Sequence, residues 1–87
     1  MAIKEIEVKT TTSLSFSDAV RISKEINSDN SAVIFYKDGR SVDASSVVDV
    51  LVLEIEKDSK VKVIGHGNNI YNVMEKITDI LIDGAGI

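Results

Sequence analysis

Two short patterns in this sequence have residue types and spacing suited to chemistry. Ser15 stands three positions ahead of Asp18, and Ser46 three ahead of Asp49, each at the head of an apolar run. A hydroxyl in that place accepts the backbone N–H three residues on, and a carboxylate there reaches back to the serine's own N–H. Each pair therefore reads as a helix start. An unassisted serine hydroxyl is a poor nucleophile at neutral pH, so neither pair is by itself a catalytic site. Ser45 adds a second hydroxyl beside Ser46. His66 is the one histidine, set between Gly65 and Gly67. One imidazole without clustered partners makes no metal site. The two glycines lack phosphate-loop spacing, so the segment reads as a turn with a solvated or hydrogen-bonded histidine. There is no Cys, which excludes thiolate nucleophiles, thiolate metal sites and disulfides. No cofactor is implied.

At 87 residues the chain is expected to form one domain, spanning 1–87. A domain of this size buries only about 60–65% of its unfolded surface, so one modest core must hold it. The 44% apolar content supplies that core and is too high for a disordered chain. Net charge is −4, from 10 basic and 14 acidic residues, and the aromatics are two Tyr and two Phe. That balance gives nucleic acid neither electrostatic attraction nor a stacking platform. No apolar run approaches the ~18 residues of a membrane span. Lys4, Glu5, Glu7 and Lys9 argue against a secretory signal at the start. The cysteine-free composition suits a reducing cytoplasm, the expected location.

The elements that must position the two serines follow from periodicity. Residues 2–9 alternate, with Ile6 and Val8 on one face and Glu5, Glu7 and Lys9 on the other, which predicts a strand. Thr10 to Ser13 reads as a polar loop. A first helix is expected from Phe16 to Ile26, with Phe16, Ala19, Ile22 and Ile26 as its inward stripe. The run 27–30 (NSDN) ends it with turn-forming residues. Ala32 to Tyr36 is a second strand, Val33 and Phe35 facing one way, Ala32, Ile34 and Tyr36 the other. Asp38-Gly39 between apolar runs is a strong hairpin signal, leading to a short strand from Arg40 to Asp43. A short helix follows from about Val47 to Leu53. Lys60 to Ile64 is a fourth strand, Val61 and Val63 inward. Gly65 to Gly67 then leads to a helix capped by Asn68 or Asn69. Its stripe of Ile70, Val73, Met74, Ile77 and Leu81 is the clearest in the chain. Ile80, Ile82 and Ile87 either cover the core or make another contact. The order β-α-β-β-α-β-α gives a two-layer α+β domain, four antiparallel strands with helices on one face.

Lys37-Asp38-Gly39, then Val42, Ala44, Ser46, Leu51 and Leu53, resemble the phosphocarrier HPr of the bacterial sugar phosphotransferase system. Val61, Val63, Ile64, Gly67 and the last helix's stripe keep the same register, so the resemblance covers essentially the whole chain. It implies an open-faced sandwich with one sheet face bare. It also implies two phosphate sites. HPr proteins carry phosphate on a histidine in a G-L-H-x-R-P pattern. The corresponding run here is Ser13-Leu14-Ser15-Phe16-Ser17-Asp18, so Ser15 takes the histidine position, Ser17 the arginine position and Asp18 the proline position. The nucleophilic imidazole and the phosphate-meeting cation are both replaced, and Asp18 adds negative charge at the helix head. The second site, a serine phosphorylated by HPr kinase, falls on Ser46, where a helix start favours an anion. Ser45 is the alternative acceptor. Asp49 stands where the family has glycine.

The resemblance leaves three functions open. The first is a non-catalytic regulatory or interaction module, similar to the Crh paralogues that lack the histidine and keep the serine. Its partners would be HPr kinase or a transcription regulator, met through Val47, Val48 and Leu51, of which one or two must pack inward. The second is a phosphocarrier working through another residue. The third is a structural or assembly protein reusing the fold. On the bare sheet face Ile34, Tyr36 and Ile64 form a candidate partner or homodimer surface, because grouped exposed apolar residues are informative where single ones are not.

Overall fold

Alternation along the first segment produces β1 (Ala2–Lys9), and the remaining elements are α1 (Phe16–Asp29), β2 (Ala32–Lys37), β3 (Arg40–Asp43), α2 (Val47–Val52), β4 (Lys60–Gly67) and α3 (Ile70–Asp83). The computed structural model describes residues 2–83; Ile87 lies outside them. The four strands form one antiparallel sheet in the order β1-β4-β2-β3. The central pairings set Glu5 opposite Ile64 and Ile64 opposite Ile34. Strand residues of the other parity, Val8, Val33, Phe35, Val61 and Val63, are buried under the helices. The α3 stripe of Ile70, Val73, Met74, Ile77 and Leu81 closes that core, as its spacing implies. Ile80 is buried and Ile82 packs against the core, so both serve as cover. Phe35 has no exposed surface; truncating such a side chain costs about 3–5 kcal/mol.

The hairpin between β2 and β3 is the two-residue turn that Asp38-Gly39 announces. Both residues have positive φ, 52° and 80°, and Lys37 pairs directly with Arg40. Positive φ at both central positions is the twist-matched geometry that Asp and Gly tolerate.

Two boundaries differ from expectation. α1 runs on through Asn27, Ser28 and Asp29. Asn30 then turns left-handed at φ 56°, its N–H donating to the Asn27 carbonyl and the Ser31 N–H to the Ile26 carbonyl. These two bonds satisfy carbonyls that an earlier end would leave open, so Asn30 is the true stop. β4 continues through Gly65, His66 and Gly67, which pair with Lys4, Ile3 and Ala2. The glycines serve packing instead of a turn. A Cβ at Gly65 would fall 2.7 Å from Ile70 Cδ1, and one at Gly67 2.7 Å from Ser31 Oγ. α3 can lie close on the sheet because nothing projects there.

Candidate functional site

The start of α1 is fixed from both sides. Thr10, read from sequence as part of a polar loop, has no exposed surface. Its Oγ1 donates to the Glu56 carbonyl at 2.7 Å and accepts from the Ser59 N–H at 3.0 Å. Its backbone also pairs with Asp58 and Ser59. The Leu14 N–H donates to the Ile55 carbonyl at 2.9 Å. The segment before the helix is thereby stitched to the one after α2. Thr11 adds a hydrogen bond to the Ile82 carbonyl. Ser15 then caps α1, its Oγ accepting from the Asp18 N–H at 3.1 Å while Asp18 Oδ2 accepts from the Ser15 N–H at 2.9 Å. The box is closed in both directions, and Asp18 is only 4% exposed. Ser17 Oγ lies 3.1 Å from Ser15 Oγ. Three oxygen-bearing groups occupy the head of this helix, and two of them satisfy its free N–H groups.

The start of α2 is built differently. Asp43 Oδ1 accepts from both the N–H and the hydroxyl of Ser45, at 2.9 and 2.7 Å. The Ser45 carbonyl accepts from Ser23 Oγ of α1 at 2.7 Å. Ser45 is thus committed to turning the chain. Ser46 Oγ accepts from the Asp49 N–H at 3.3 Å. The Ser46 N–H donates to the Asp43 carbonyl at 3.1 Å, and among the described residues no bond from the Asp49 carboxylate returns to it. This cap is half of a box, and Asp49 is exposed.

Around these two starts the apolar side chains divide between the core and the surface. Val50 points inward and is buried, and Val47 packs partly against the core. Val48 is 68% exposed, and Leu51 and Val52 are also exposed. Phe16 departs from its expected inward place: it is 64% exposed, and the buried stripe begins at Ala19. Phe16 is the first helical residue, one position beyond the cap, where the helix overhangs the core. A groove of about 310 Å³ lies beside it, lined by Ser13 and Leu14 on one side and Leu51 and Glu54 of the α2 end on the other.

The other sheet face carries Ile34, Tyr36 and the half-buried Ile64. Ile3, which the sequence reading left off this face, belongs with them at 74% exposed and shares the parity of Glu5. Lys62 Nζ sits 5.8 Å from the Tyr36 ring centre. His66 projects on this face between Ile3 and Ala32. It lines a shallow pocket of about 220 Å³ with Asp29, Asn30 and Ser31 at the far end of α1. Fourteen helical residues, about 20 Å of axis, separate that end from Ser15. The structure therefore does not bring the one imidazole to either helix start. Among the described residues no group of three His, Asp or Glu could hold a metal ion, and no helix is long and apolar enough to cross a membrane.

The family model for the phosphotransferase-system HPr component phosphorylation site matches residues 3–83. The chain belongs to the HPr family. Its members are phosphocarrier or regulatory proteins, not catalysts. The HPr-like protein Crh of Halalkalibacterium halodurans is 32% identical over 77 residues, covering 88% of this chain and 92% of that protein. Among solved structures, HPr from Bacillus anthracis superposes with a TM-score of 0.82 at 20% identity, covering 93% of this chain and 99% of its own. Bacillus subtilis Crh superposes with a TM-score of 0.69 at 27% identity, covering 93% of each chain, and is described as a dimer formed by domain swapping. The HPr-like open-faced sandwich expected from the sequence is the fold observed.

Proposed function

We propose that this HPr-family protein is a cytoplasmic regulatory module that does not relay phosphate, and that its regulated residue is Ser46. The difference between the two helix starts carries the reading. Ser15, in the family's histidine position, is closed into a reciprocal box with a buried aspartate. Ser17, in the arginine position, offers a hydroxyl and no cation. Nothing at that helix start is both nucleophilic and labile enough to receive a phosphoryl group and give it up. Ser46 is a half-buried cap whose hydroxyl oxygen accepts one long hydrogen bond, 3.3 Å, and its backbone N–H donates to the Asp43 carbonyl, not to the Asp49 carboxylate. Ser45, the competing acceptor, already donates its hydroxyl to Asp43.

Val48 and Leu51 supply the apolar contact surface next to Ser46, with Val47 as its partly buried base. The partner is a protein, an HPr kinase during modification and a regulator afterwards. Incubation with ATP and HPr kinase is expected to place one phosphate on Ser46. Incubation with enzyme I and phosphoenolpyruvate is expected to leave the protein unmodified; an acid-labile phosphoprotein there would overturn the proposal.

A further inference from the structure

The groove beside the start of α1 exposes more polar than apolar surface, and the charged residues of its lining are of one sign. Leu14, Val50, Leu51 and Ile55 form its apolar part, and the charged residues in its lining, Glu54 and Glu56, are both acidic. Both stand on fixed backbone. Glu54 is held left-handed at φ 54°, its N–H donating to the Leu51 carbonyl. The Glu56 carbonyl takes the Thr10 hydroxyl, and its N–H donates to Ser59 Oγ. Neither carboxylate takes part in the Lys37–Asp38 or Lys76–Glu25 ion pair. Outside the groove's lining, Phe16 on α1 and Val48 and Val52 on α2 are each more than half exposed.

We infer that this groove takes a basic, apolar-tipped segment of a partner protein. A Leu, Met or Phe side chain enters between Leu14 and Leu51, and a Lys or Arg on each side of it reaches Glu54 and Glu56. A second copy of this chain does not fit, since the same surface on both would set Glu against Glu. Anionic lipid and nucleic acid are repelled for the same reason. The inference rests on the reading of the chain as a docking module and adds the chemistry of what docks. It also gives Ser46 a direction. Ser46 precedes α2 and Glu54 follows its C-cap, eight residues on, which places a phosphate there about 12 Å along the helix from Glu54. That is about one Debye length, so the phosphate reinforces a basic partner modestly and does not create the site.

The test uses the full chain, isotopically labelled for amide NMR, unphosphorylated and at low salt. The probe is a synthetic peptide with two leucines flanked by Arg and Lys, compared with a peptide carrying Glu at the flanking positions. The basic peptide is expected to shift the amides of Leu14, Phe16, Leu51, Glu54 and Glu56. The double variant Glu54→Gln, Glu56→Gln should weaken binding about 10-fold, the range of a lost charged anchor. The double variant Glu5→Gln, Glu7→Gln removes the same charge from β1 and should change affinity less than about 2-fold. Equal weakening by both pairs, equal binding of the acidic peptide, or shifts confined to the sheet face or absent would each overturn the inference. Kinase treatment of the same preparation separates the two readings. A protein phosphorylated on Ser46 that ignores the basic peptide defeats the groove alone. One that binds the peptide and refuses the phosphate defeats the regulatory reading alone.

Discussion

The starts of α1 and α2 share a sequence pattern, Ser-x-x-Asp, and differ in structure. At α1 the aspartate turns in, is buried, and completes the box. At α2 the aspartate stays out, and the serine's own N–H is taken by Asp43. What separates them is the chain before each cap. Thr10 and Leu14 pin the approach to α1 against residues 55–59, so Ser15 arrives in extended geometry, ψ 171°, with its N–H facing the helix. The approach to α2 is an aspartate-led turn at Asp43 that consumes the N–H groups of Ser45 and Ser46 before the helix begins. The same four-residue signal thus yields a closed box in one place and a half box in the other, with Ser15 exposed and Ser46 half-buried.

The largest expected effect breaks the lock from below. Thr10→Val keeps the shape of the side chain and removes a buried hydroxyl that joins Glu56 and Ser59. It should lower unfolding free energy by about 1–3 kcal/mol in urea melts; a loss under about 0.5 kcal/mol would mean that the approach to α1 is not pinned as described. Next is the lock itself. Asp18→Ala opens the box at a buried position and should cost about 1–2 kcal/mol. Asp49→Ala, the matching change at the exposed half-box, should stay within about 0.5 kcal/mol. Equal losses from the two aspartates would erase the distinction between the helix starts.

The smallest effect concerns the opposite surface. Ile34 and Tyr36 are exposed on the open sheet face, and we propose that they contribute to self-association. Sedimentation of the wild-type chain should show a concentration-dependent dimer that Ile34→Lys with Tyr36→Lys shifts to monomer. A wild-type protein that sediments as a monomer throughout, and is no more soluble as the double variant, would remove this surface from consideration.

Much of the fold was legible because it depends on local pattern. The Asp38-Gly39 hairpin, the two serine caps and the α3 stripe are each decided by residues within one turn or one strand. What could not be read depends on contacts between distant segments. Thr10 looks like any loop threonine until residues 56–59 are folded against it. Gly65 looks like a turn glycine until Ile70 is laid on it at a distance that admits no Cβ. Phe16 satisfied the helical spacing of its neighbours and still faces solvent, because periodicity says nothing about how far the core extends under a helix's first turn. Asn27 to Asp29 favour turns individually, yet the pair of bonds closing at Asn30 and Ser31 favours keeping them helical. At the candidate site, Ser45 and Ser46 look alike in sequence; what distinguishes them in the structure is the Asp43 carboxylate, which takes both the N–H and the hydroxyl of Ser45.

The most direct measurement of the contrast between the helix starts is phosphate mapping with HPr kinase and ATP on three proteins: wild type, Ser46→Ala and Ser45→Ala. The expected result is one phosphate at Ser46 in the wild type and in Ser45→Ala, and none in Ser46→Ala. Phosphate on Ser15 in any of them, or on Ser45 once Ser46 is removed, would contradict the assignment of one start as closed and the other as open through Ser46 alone.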